Sequence, residues 1–409
     1  MRSLLLSTAL VPLLVIAEPH RAFADCAPDS VGAGETVLCT GADTDGFADD
    51  SDGIRVEIAE GASVVTTGAA AIDVDDDVEI ENRGLVEARG DGDEGVQAGD
   101  DLDLLNAATG TIRAADKGVQ TGDGLSLANE GLIEAGDEGV EAGDFATVGN
   151  APGATIRAVE DAVQVGRGGL VVNLGTIEST GDDGDGISIA SGDVLNAGTI
   201  TAASPDGAAI VVEAADPLPG DAAPVKLDLD IVNEGTIRGA TGIQAGTGAN
   251  VRSQRVTTSG LIEGTGGVAV NLGAGDDVLN VIEGGDVVGE VILGAGDDTL
   301  IFTDLVDGEG RLVDLFDGGD AMDTVVFASL NRSDVSVRSF IDLVLTLTVD
   351  LPALGDAEDF EFRFTNFETF VFVDVTESFP DLVPAIPLPA GLPLLAGGLG
   401  LLALARRRR

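Results

Sequence analysis

Apolar and polar residues alternate along much of this chain, in short runs broken by glycine and aspartate. In KLDLDIVN, Leu227, Leu229 and Ile231 share one parity, while Asp228, Asp230 and Val232 share the other. Val78, Ile80 and Asn82 are matched in the same way. A period of two marks a strand with one buried face. The runs themselves recur. An Asn-x-Gly-x-Ile/Val unit, at times two residues longer, begins at Asn82, Asn106, Asn129, Asn150, Asn173, Asn196 and Asn233, at spacings of 24, 23, 21, 23, 23 and 37. Apolar residues follow at Val86, Ile112, Ile133, Ile156, Ile177, Ile200, Ile237 and Ile262. A second apolar column trails by about ten positions: Val96, Val119, Val140, Val163, Ile187, Ile210 and Ile243.

A period near 23 that is this rich in glycine and aspartate does not suit a pair of helices. Three short strands per period, turned at Gly/Asp corners, predict an all-β chain: a parallel β-helix whose rungs stack at about 4.8 Å. Parallel crossovers are nearly always right-handed, so a right-handed solenoid is expected. The outward residue after each Ile/Val supplies a check on register. Those residues are Glu87, Arg113, Glu134, Arg157, Glu178, Thr201, Arg238 and Glu263. Their signs alternate, which predicts ion pairing between neighbouring rungs, Arg113 beside Glu134 among them. The asparagines share parity with the buried residues and are expected to stack amide on amide.

The array is predicted over 54–328. Residues 25–53 lack the Asn unit, and an exposed solenoid end needs a cover, so they are read as an N-terminal cap. Phenylalanine, rare before Ile301, is frequent from Phe302 onward, and LVLTLTVDL and FEFRFTNFETFVFVDV alternate as hairpin-like strands. Residues 329–380 are therefore expected to form a small β-rich C-terminal cap with an aromatic core. The longer spacing before Asn233 maps to a segment with Pro217, Pro219 and Pro224, expected as a loop leaving the solenoid.

Composition narrows the function classes. The 409 residues carry a formal net charge of −51 and include 58 glycines, no Trp, no Tyr and one His. An apolar content of 44% is enough to build a core. So acidic a surface argues against nucleic-acid binding. Residues 1–24 have the form of a secretory signal peptide: Arg2, an apolar core, and Ala22-Phe23-Ala24 as a cleavage site after Ala24. Cleavage removes His20. Cys26 and Cys39 are then read as one disulfide in an exported protein, with two free thiols as the alternative. No Cys/His zinc set or Cys–His nucleophile pair can be assembled from this inventory.

At the other end, residues 381–409 contain Ile386-Pro387-Leu388-Pro389-Ala390, an uncharged stretch running to Ala405, and Arg406, Arg407, Arg408 and Arg409. The stretch is long enough to cross a bilayer, and the arginines would stay on the cytoplasmic side. This tail resembles the VPLPA-CTERM sorting signal, a relative of PEP-CTERM tails, with Ile in place of the first Val. The resemblance implies recognition by an exosortase-type membrane protease, a membrane-spanning stage before processing, and then release or attachment at a bacterial, Gram-negative-type cell surface. A plain membrane anchor is the alternative.

Two stretches, LGAGDDVLN and LGAGDDTLI, resemble the RTX nonapeptide at Gly273, Gly275, Asp277 and Leu279, and at Gly294, Gly296, Asp298 and Leu300, with a poorer copy ending at Asp323. The resemblance implies Ca²⁺ as candidate cofactor on Asp277, Asp298 and Asp323. These aspartates, however, are 21 and 25 apart rather than nine, and Leu replaces the first Gly of the two better copies. Further acids are expected in corner columns, with Asp93/Glu94, Asp116, Asp137/Glu138, Glu160/Asp161 and Asp183/Asp185 at one edge and Asp100, Asp123, Asp144 and Asp193 at another. No carboxylate pair stands apart as catalytic, so no enzyme is expected. The array also resembles the passenger regions of autotransporter-type adhesins. An exported structural or adhesive protein that contacts surface polysaccharide or matrix follows as the expectation, with a Ca²⁺-binding RTX-like matrix protein and a polysaccharide-active β-helix enzyme as alternatives.

Overall fold

Over most of the chain each alternating run forms a strand of two to five residues that lies parallel to its counterpart one period away. The computed structural model describes residues 25–213, 228–245, 253–303, 315–349 and 360–383. It is a parallel β-solenoid of about 11 turns with ~23 residues per rung. Three columns of strands run its length. Strands such as Asp103–Asn106, Ser126–Asn129 and Thr147–Asn150 form the first. The second contains Thr111–Ala114, Leu132–Ala135 and Thr155–Ala158. The third contains Val119–Gln120, Val140–Ala142 and Val163–Val165.

Register follows the sequence repeat residue for residue. Asn106 lies opposite Asn129, Ile112 opposite Ile133, and Val119 opposite Val140. Ile112, Ile133, Ile156, Val119, Val140 and Val163 are all fully buried. Each such side chain contributes about 1.5–3 kcal/mol of burial free energy, so the stacked columns make up the core. The asparagines are buried as well. Nδ2 of each donates to Oδ1 of the next, at 2.9 Å for Asn82→Asn106 and 2.8 Å for Asn106→Asn129, and so on to Asn196→Asn233 at 2.8 Å. The ladder ends where Asn233 donates to the Thr258 hydroxyl at 3.1 Å.

Outside, the alternating charges occupy one column as expected. Arg113 lies opposite both Glu87 and Glu134 and reaches Glu134 at 2.8 Å and Glu87 at 3.9 Å. Glu134 is also opposite Arg157, but the Arg157 guanidinium turns to Glu178 at 2.8 Å. The closest contacts therefore pair the column off two by two, where an unbroken chain of pairs was expected for Glu134.

Several boundaries move. The solenoid begins inside the segment read as a cap: Thr36–Thr40 pairs parallel with Arg55–Ile58, and Phe47–Asp49 with Ile72–Val74. What covers the end is Asp25–Ala27, antiparallel to Thr36–Thr40 and tied to it by the Cys26–Cys39 disulfide. From Thr236 onward the corner between the second and third columns opens, and single strands such as Thr236–Ala245 and Leu261–Asn271 serve both. At the C-terminal end, Val335–Ile341, Val344–Val349 and Phe360–Thr365 pair antiparallel, and the last of these continues the third column. Phe302, Phe316 and Phe327 of the last rungs are buried there against Phe362 and Phe364, so the aromatic core expected within the cap is shared with the solenoid. The cleavage residue Ala24, the proline-rich insertion, the Pro387–Ala390 box and Arg406–Arg409 lie outside the described residues. Among the described residues, no helix is long and apolar enough to cross a membrane.

Candidate functional site

Three places gather many of the acids that crowd the sequence, and several of these bind the main chain of a neighbouring rung. At the corner leading from the third column into the first, each aspartate accepts the N–H of the residue one rung ahead. Asp100 N donates to Asp76 Oδ1 at 2.7 Å, Asp123 N to Asp100 at 2.8 Å, Asp144 N to Asp123 at 2.7 Å and Arg167 N to Asp144 at 2.8 Å. The glycines before Asp100, Asp123 and Asp144 are required by the carboxylate beneath them: a Cβ on Gly122 would come within 2.0 Å of Asp100 Oδ1. The recurring Gly-Asp pair is thus one device. Gly makes room for the acid of the previous rung, and Asp holds the N–H of the next. The Arg167 guanidinium also binds Asp144. Burial pushes that carboxyl up, but the hydrogen bonds from Arg167 outweigh it and the net shift is downward. Asp193, expected at this corner, instead lies within the strand Gly192–Asn196, opposite Leu170 and Asp230.

At the corner between the second and third columns, carboxylate oxygens of Asp137, Glu138 and Glu160 lie within 4.8 Å of one another. Burial, then Asp137, pushes Glu138 up to about 7. Lys117 lies 3.5 Å from Glu138 and also binds Glu141. Further along, Asp161 accepts from Asp185 N at 2.8 Å and Asp185 from Ala208 N at 2.6 Å. Burial raises Asp161, and raises Asp185 to about 6. Both belong to the edge set expected from the sequence; their service to the main chain was not.

The three candidate metal residues occupy the third place. Asp277, Asp298 and Asp323 immediately precede Val278–Val281, Thr299–Phe302 and Thr324–Phe327, three successive strands of the first column. All three are buried. Each Oδ1 accepts the N–H of the rung before: Gln254 N to Asp277 at 2.6 Å, Asp277 N to Asp298 at 2.7 Å and Asp298 N to Asp323 at 2.9 Å. Each Oδ2 is buried without a hydrogen-bond partner. Burial drives Asp277 to about 8, Asp298 to about 7 and Asp323 to about 6. The wide 21- and 25-residue spacings therefore do bring these aspartates together, one per rung, as a buried file of single carboxylates. Backbone packing explains the glycines beside them: Gly294, at φ +117°, would place a Cβ 2.0 Å from the Gly273 carbonyl.

Chemically, such a file can hold protons or a hard cation on its free oxygens. Cys26 and Cys39 do form the disulfide, so neither is a nucleophile. A cleft of about 180 Å³ at the C-terminal cap is lined by Phe340, Leu343, Phe367 and Phe379 and is largely apolar. Compared with protein-family models, curated proteins and solved structures, the chain matches none.

Proposed function

We propose that this chain is an exported, C-terminally sorted solenoid with a structural or adhesive, non-enzymatic role at the cell surface or in the extracellular matrix. The observation that carries the reading is how the acids are used. The repeated Gly-Asp corners and the Asn ladder bind rung to rung, the economy of an extended rod. The Cys26–Cys39 disulfide supports passage through an oxidising compartment. The test has two arms in cells that carry the chain. Replacing Pro387 and Pro389 by Ala should block processing and leave the chain in the inner membrane, as read by fractionation and surface protease accessibility. Deleting the chain should weaken attachment or matrix cohesion, and unchanged attachment would sink the adhesive role. Steady turnover of a neutral or acidic polysaccharide by the purified chain would favour the enzymatic alternative.

A second reading, Ca²⁺ binding within the matrix, is favoured by one observation: the unpartnered Oδ2 atoms of Asp277, Asp298 and Asp323. A bound cation would displace the protons that burial keeps on these groups. Calcium is then expected to raise the melting temperature at pH 8, EDTA to reverse the effect, and Asp298→Asn to abolish it. Identical melting in Ca²⁺ and EDTA removes this reading.

A further inference from the structure

The first column turns two side chains per strand outward, and on one of these two positions charge disappears. The position begins with Leu38, Glu57 and Glu81. From Leu105 onward it holds Ala128, Gly149, Val172, Leu195 and Val232, and it continues without a charge to Val371 at the C-terminal end. Leu195 is 41% exposed and Val232 38% exposed. The companion position is also uncharged over the last strands, at Val278, Thr299, Thr324 and Thr369. Before that it carries Asp103 and Asp193, and Asp193 lies opposite Asp230, which meets Arg255 of the next rung at 3.7 Å. On a chain of net charge −51 this is an uncharged strip along one sheet of mostly parallel strands.

We propose that this strip is a self-association surface, and that a second copy of the chain packs on it face to face. Charge selects the occupant. Two molecules this acidic repel each other over most approaches, and the strip is where their surfaces can meet with the fewest facing carboxylates, Asp103, Asp193 and Asp230 standing beside it. Its size is adequate. Rungs about 4.8 Å apart and strands about 13–16 Å long give the sheet face that carries it, companion position included, roughly 600–750 Å² per copy from Leu105 to Val371. The total of roughly 1,200–1,500 Å² lies within the range of specific interfaces. Sheet faces pack at about 10 Å, with side chains interdigitating. An anionic membrane is a poor competitor because the Gly-Asp corner along one flank is acidic, and a sugar lattice lacks aromatic platforms here. In a two-fold pair the middle of the strip, Val232, meets its own mate.

Sedimentation velocity on the full chain between about 1 and 50 μM tests the proposal. Dimer should form, and should strengthen from 0.15 to 0.5 M NaCl as salt screens the acidic rims. Val172→Glu should shift the equilibrium at least tenfold toward monomer, while Gln164→Glu, outward on the third column, should leave it unchanged. Circular dichroism checks that both variants retain the β fold. Because the apolar C-terminal stretch could associate by itself, oxidative cross-linking provides a second readout. Val232→Cys should yield a disulfide-linked dimer, Gln164→Cys should not, and adding Val172→Glu to Val232→Cys should suppress it. Val172→Glu sedimenting like wild type, or Val232→Cys linking no better than Gln164→Cys, would overturn the proposal and assign the strip to another occupant.

Discussion

A buried Asn is tolerable only because its neighbours complete it. Asn129 receives the amide of Asn106, donates to Asn150 at 2.9 Å, and also reaches the Thr155 carbonyl at 3.2 Å. Asn150→Ala should leave Asn129 short of an acceptor and Asn173 short of a donor, at a cost of about 1–3 kcal/mol for the orphaned groups. Urea denaturation measures it. Asn150→Asp should cost more, since a carboxylate cannot donate onward. The buried aspartates behave in the opposite sense. Asp277, Asp298 and Asp323 have folded-state values of about 8, 7 and 6, against an ordinary 3.8. Between about pH 4 and 8 the folded chain keeps protons that the unfolded chain has released. Their contribution to stability is therefore full below the unfolded value and is lost as pH rises through the folded ones. Asp277→Asn keeps the Oδ1 acceptor and removes the charge, so it should melt higher than wild type at pH 8, and the difference should close as pH falls toward the unfolded value near 3.8. Asp43, Asp49 and Asp144, held low chiefly by hydrogen bonds, act the other way and weaken the fold as pH falls through their values.

At the scale of the element, sequence and structure agree where parity and spacing govern. The Asn and Ile/Val columns could be read because a one-residue slip would turn every buried side chain outward. The Arg113–Glu134 neighbours could be read for the same reason. These pairs are partly exposed, so Arg113→Glu should cost only about 1 kcal/mol, and the difference from wild type should shrink in 0.5 M NaCl. Where the structure departs from expectation, the cause was not periodic. Residues 36–49 form a full rung without the Asn unit, because Cys39, and then Ile58 one rung on, hold the first-column position that Asn82 takes over. The file of Asp277, Asp298 and Asp323 could be found by the likeness of their flanking residues. Their burial, and the N–H each one holds, depend on chain direction at the corner, which spacing does not encode. At the C-terminal end the aromatic switch was plain. Phe364 packs on the rings of Phe316, Phe362, Phe367 and Phe370, and Phe364→Ala should cost about 3–5 kcal/mol, measured by denaturation.

For the whole molecule, charge and topology pull in opposite directions. A net charge of −51 spread over a rod repels itself, so thermal stability should rise with NaCl. A melting temperature that falls or stays flat between 0.05 and 0.5 M would contradict that. Topology resists by repetition: each rung is held by its two neighbours, through the Asn ladder, the corner aspartates and the apolar columns, and by little else. Stability is then a sum along one axis. The same arrangement gives the rod a mechanical character. Drawn from its two ends, it should shed rungs singly from an end instead of failing at once. A rung of ~23 residues releases about 75–80 Å of extended chain, more than the folded stack itself occupies along its axis. Anchored at one end and loaded at the other, the molecule would yield in regular steps and keep its hold.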